Sequence, residues 1–90
     1  MKSKSKIPLL NKEMVISYFG ECRYSAELVS DSFYYHTIVL GDWYIFIDEG
    51  TQDDDEIIAI IYNKDKRIAG FSNHNLEGII NEIKDNIKEK

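Results

Sequence analysis

Cysteine is almost absent from this chain. Cys22 stands alone among 90 residues, which excludes an intrachain disulfide and a cysteine-rich metal site and suits a reducing compartment. Histidine occurs only at His36 and His74, too few for a zinc site unless carboxylates complete it. Gly41, Gly50, Gly70 and Gly78 are isolated and match neither G-x-G-x-x-G nor the Walker pattern, so no phosphate-cradling loop is encoded. No apolar run is long enough to span a bilayer. Ile7-Pro8-Leu9-Leu10 gives way at once to Asn-Lys-Glu, too short for the hydrophobic region of an export signal. A cytoplasmic location is the expectation.

The most telling absence is of positive charge. From Tyr24 to Asn63 there is no lysine or arginine, while nine acidic residues and seven aromatics fall between Tyr24 and Glu56, with Tyr62 as an eighth ring at the far edge. The formal net charge is −5, but Lys2, Lys4, Lys6 and Lys12 all precede residue 13, so the remainder carries −9. Phosphate contacts need clustered lysine and arginine, which argues against direct binding of nucleic acid and, for the same reason, of an anionic membrane. A block of one sign projects a field that steers and holds a basic protein.

A chain of this length makes one small domain that buries roughly two thirds of its unfolded surface. Residues 1–10 read as a basic, mobile arm and 11–90 as a single domain. Met14, Val15, Tyr18 and Phe19 share one face of a short helix over Lys12–Phe19, capped by Asn11 and stopped by Gly20. From Cys22 the period changes to two. Strands are expected over Cys22–Val29, Phe33–Leu40, Trp43–Asp48, Glu56–Tyr62 and Arg67–Phe71. They are linked by Ser30-Asp31-Ser32, a Gly41-Asp42 hairpin, an acidic loop Glu49–Asp55 and a turn at Asn63–Lys66. Leu76, Ile79, Ile80, Ile83 and Ile87 form one apolar stripe, predicting a helix over about Asn75–Lys88 with Ser72 or Asn73 as its cap. Short links favour an antiparallel meander. The expected fold is α+β, with a five-stranded sheet between a short N-terminal helix and an amphipathic C-terminal one.

Three strands fail to alternate as half-exposed strands should. In EIIAIIY, Ile57, Ala59 and Ile61 oppose Ile58, Ile60 and Tyr62, and in WYIFI, Trp43, Ile45 and Ile47 oppose Tyr44 and Phe46. Runs apolar on both sides imply burial on both faces. A two-turn helix is too short to cover a face alone. If the helices share one face, an apolar, aromatic surface is left for a partner or a second copy; strong coiling of the sheet is the plainer alternative.

Asp53-Asp54-Asp55-Glu56 must stay solvated to remain ionised, either as a docking patch that imitates nucleic-acid phosphate or as a loop that keeps a hydrophobic hairpin soluble. The acids around Gly50 do not follow the EF-hand pattern, so calcium is not expected. His36 lies mid-strand on a face with Tyr34 and Ile38, where a hydrogen-bonded packing role is commoner than general-base work. A Cys22–His36 nucleophile pair has no support from flanking residues.

These features favour a cytoplasmic, non-enzymatic binding protein without cofactor or metal. It would inhibit a basic, nucleic-acid-handling protein by stoichiometric contact through Asp48, Glu49, Asp53, Asp54, Asp55 and Glu56, with Trp43, Tyr44 and Tyr34 as anchors. In size and charge, though in no motif, the chain is similar to phage-encoded anti-CRISPR and anti-restriction inhibitors. An immunity protein or antitoxin against a basic toxin makes the same physical demands. A homodimeric accessory subunit is the third reading.

Overall fold

The computed structural model describes residues 8–29, 33–50 and 56–87. The order is α1 (Lys12–Phe19), β1 (Arg23–Val29), β2 (Phe33–Leu40), β3 (Trp43–Gly50), β4 (Ile57–Asn63), β5 (Lys66–Asn73) and α2 (Leu76–Ile87). The strands form one sheet in sequence order, each antiparallel to the next. The α+β meander with terminal helices expected from the short links is the fold observed. The basic arm up to Ile7, the Ser30–Ser32 turn and residues 51–55 lie outside the described residues.

Local chemistry accounts for the element ends. Asn11 accepts the backbone N–H of Met14 at 3.0 Å, and Gly20 closes α1 with φ 85° while its N–H donates to Ile16 O. In the Gly41-Asp42 hairpin only the glycine takes a positive φ, of 64°, the condition for a two-residue II′ turn. The cap of α2 differs from expectation. Asn75 accepts the N–H groups of Glu77 and Gly78, whereas Asn73 accepts that of Asn75. Asn73 thus sets the turn before the helix and Asn75 caps it.

Both helices lie on one face of the sheet. Leu10 and Val15 from the N-terminal segment, Ile79, Ile80 and Ile83 from α2, and Ile38, Ile45, Ile47, Ile57, Ala59 and Ile61 from the strands form a single buried cluster. α2 packs on β4 and β5, and α1 on β1, while Lys84 of α2 sits 5.7 Å from the ring centre of Tyr18 of α1. Leu10, at 0 % exposure, belongs to the core rather than to an arm. The helices share one face, and the apolar outer set is then the exposed surface expected for that case: Ile58 is 42 % and Tyr44 39 % exposed, with Tyr35, Phe46, Ile60 and Tyr62 half-buried. Coiling does not close the second face.

Candidate functional site

Two features stand out, one on each side of the sheet. Beneath the helices runs a buried polar series. β3 continues to Gly50, two residues past the expected end, so Glu49 follows Ile45 and Ile47 onto the core face. The register places Ile47 opposite His36 and Glu49 opposite Tyr34, one step along from His36, and Ala26 of β1 opposite His36 with Tyr24 one step along. Diagonal neighbours of this kind are within reach of long side chains. His36 Nε2 lies 2.9 Å from Glu49 Oε1, His36 Nδ1 lies 2.8 Å from the Tyr24 hydroxyl, and the Leu9 N–H donates to Glu49 Oε2 at 2.7 Å. His36 and Glu49 are 0 % and 1 % exposed, and among the described residues no buried side-chain polar atom lacks a partner.

An ionised carboxylate only accepts, which puts a proton on Nε2; Nδ1 meets the Tyr24 hydroxyl, which also donates to Leu10 O at 3.4 Å. Burial, and secondarily the charge of Glu49, raises the Tyr24 phenol above its ordinary value, so it stays protonated at neutral pH and can donate to the Leu10 carbonyl. Hydroxyl, imidazole and carboxylate stand in the order of a nucleophilic triad, but the imidazole and the carboxylate are sealed from solvent. In this arrangement the series fastens the Pro8–Leu10 segment to the sheet. Cys22 does not form the pair considered above, because Tyr24 occupies Nδ1. Among the described residues no group of three or more His, Cys, Asp or Glu is placed to hold a metal ion.

The opposite face is open, and the register lays its side chains out in rows. Across β1 to β5 the first runs Glu27, Tyr35, Asp48, Ile58, Ser72; the second Ser25, Thr37, Phe46, Ile60, Gly70; the third Arg23, Val39, Tyr44, Tyr62, Arg67. A groove of 690 Å³ crosses this lattice, lined by the aliphatic Ile58 and Ile60, the rings of Tyr35, Tyr44, Phe46 and Tyr62, and the charged Asp48, Lys64 and Asp65. Tyr35 stacks on Phe46, with centroids 5.9 Å apart at 13°, and Tyr62 meets Phe46 edge-on at 5.7 Å and 78°. Both geometries are favourable for aromatic pairs.

Asp48 lies among these rings, with Asp65 also lining the groove. Its carboxyl makes no hydrogen bond or ion pair with the described residues. Burial raises its pKa, an effect only partly offset by His36 on the other side of the sheet. The Tyr35 phenol is raised as well, by burial first and then by Asp48 and Tyr62. Arg67 lies in the third row, away from Asp48 in the first. A Cβ on Gly70 would stand 2.5 Å from Arg67 Nη2, so the guanidinium, the far end of a flexible side chain, rests over Gly70.

The residues proposed from sequence to meet a partner therefore separate. Tyr44 and Asp48 meet at the groove, and Glu56 is exposed at the start of β4. Glu49 is corrected: it is a buried partner of His36, because the strand continues where a loop was expected. Trp43 is half-buried against the core on the helix side. Tyr34 shares that side, its ring 6.5 Å from His36. Neither points into the groove. Asp53, Asp54 and Asp55 lie outside the described residues. Tyr35, Phe46, Ile60 and Tyr62 were not singled out as a site, although the two-faced apolar pattern had marked their surface.

No protein-family model, curated protein or solved structure matches the chain. Among the described residues no helix is long and apolar enough to cross a membrane.

Proposed function

We propose that this protein binds a basic protein by stoichiometric contact through the open face of its sheet. The observation that carries this reading is Asp48, a carboxyl that makes no ion pair among the described residues, set in a half-exposed field of aromatic and aliphatic side chains. Exposed apolar patches mark contact sites, and exposed aromatics supply the anchors that dominate interface energetics. A carboxylate within such a patch is poorly solvated until a partner brings a positive charge to it, which gives specificity for a basic surface. The excess of acid over base in residues 13–90 adds long-range steering toward the same class of partner. Proteins that handle nucleic acid present such surfaces, and an inhibitor of one, of the anti-defence type, is the reading we favour.

The test compares wild type with Asp48→Lys and Tyr44→Ala as bait in a nuclease-treated lysate, each variant first shown folded by circular dichroism. A single basic protein should be held at one-to-one stoichiometry by wild type, be lost to both variants, and associate more slowly as salt is raised. A wild type that captures nothing and forms a salt-insensitive dimer would replace the binding reading with self-association of the same face.

A further inference from the structure

The groove narrows the chemistry of that partner, an argument that rests on the binding reading above. Asp48 is the acid beside its aromatic rings, Lys64 and Asp65 also line it, and Phe46 lies between Tyr35 and Tyr62. We propose that the groove seats an arginine side chain of the partner, its guanidinium lying over the Phe46–Tyr62 rings and forked onto the carboxylate of Asp48.

Three features select arginine. A guanidinium is planar and weakly hydrated, stacks on aromatic faces and presents two parallel N–H donors to a carboxylate. An ammonium is a compact, strongly hydrated point charge that gains less from an apolar lining such as Ile58 and Ile60. The three methylenes of arginine also match the aliphatic side of the groove, as long basic side chains lay their stems on apolar surface. A second copy of this chain is a poor donor. Its arginines are Arg23 and Arg67 only, and its net charge of −5 would set like charge against like. The arginine comes from a different protein.

The probe is a short peptide alternating arginine and serine, set against its lysine and citrulline counterparts. Binding to the full-length protein is followed by calorimetry and by amide and tyrosine-ring NMR shifts. The arginine peptide should bind about tenfold more tightly than the lysine one, the citrulline peptide should not bind, and the shifts should centre on Tyr35, Phe46, Asp48 and Tyr62. Asp48→Asn, which keeps the shape of the side chain, should weaken the arginine peptide about tenfold. Glu82→Gln removes the same charge from the exposed side of α2 and should change nothing. Equal affinity for arginine and lysine, or equal effects of D48N and E82Q, would overturn the arginine seat and leave only diffuse attraction. If that happens while a basic protein is still captured by wild type and lost to Asp48→Lys, the seat falls and the binding reading stands. If no basic protein is captured either, both fall.

Discussion

Removing the His36 side chain should bring this fold close to its stability limit. His36→Ala deletes one hydrogen bond to an ionised acceptor, about 1.5–3 kcal/mol, and one to a phenol, about 1 kcal/mol. It also leaves Glu49 sealed from water with its charge less compensated, and breaking a buried pair from one side costs about 3–5 kcal/mol in all. A domain of this size is held by roughly 5–13 kcal/mol. The midpoint of thermal unfolding should therefore drop by about 12–40 °C, at about 4–8 °C per kcal/mol. Urea titration followed by circular dichroism measures the loss directly. The cost arises from a stranded charge, so removing both partners should largely abolish it: His36→Leu with Glu49→Met should lie within about 2 kcal/mol of wild type, far above the sum of the single effects. A loss under about 1 kcal/mol in His36→Ala, or a double variant no better than the single, would refute the reasoning.

Other consequences follow from the same geometry. Asp48 titrates above the ordinary carboxylate value of about 3.9, so the folded state holds its proton more tightly than the unfolded chain. That contribution to stability is present at low pH and lost as pH rises through the raised value. Asp48→Asn should accordingly be more stabilising, relative to wild type, at pH 7 than at pH 3, even as it weakens binding; the opposite trend in paired urea titrations would contradict it. Tyr24 is likewise raised, by burial and then by Glu49, so stability should fall as pH climbs past about 10, and Tyr24→Phe should flatten that slope. Asn11→Ala removes the cap of α1 and should cost about 1 kcal/mol in the same assay, whereas Asn86→Ala, near the exposed end of α2, should cost under about 0.5 kcal/mol.

The topology was legible because its turns are short. A two-residue hairpin at Gly41-Asp42 fixes the β2–β3 register at once, and the apolar stripe of α2 leaves little choice about which side it buries. Glu49 was misread because its neighbours in sequence are acids, and composition placed it in a loop. Period two from Ile45 and Ile47 puts it on the core face, and the hairpin register sets His36 diagonally across, so the pair was within reach of counting. Nothing in the sequence says that a buried acid has a buried histidine to meet it until the two are aligned. Tyr34 and Trp43 were misjudged for the related reason that aromatic content does not reveal a side of the sheet. The two-faced apolar pattern did point to an open surface. Its vacancy depended on α1 and α2 choosing the same face, a tertiary outcome that strand periodicity does not encode.

The binding face is tested most directly by placing a photo-crosslinking phenylalanine at position 44, in the groove, and in a second protein at Ile16, exposed on α1, and irradiating cells that express each. A face built for a basic partner gives one dominant crosslink from position 44, to a protein of high isoelectric point, and none of it from position 16. Crosslinking from position 16 alone, or from position 44 only to a second copy of the chain, would contradict it.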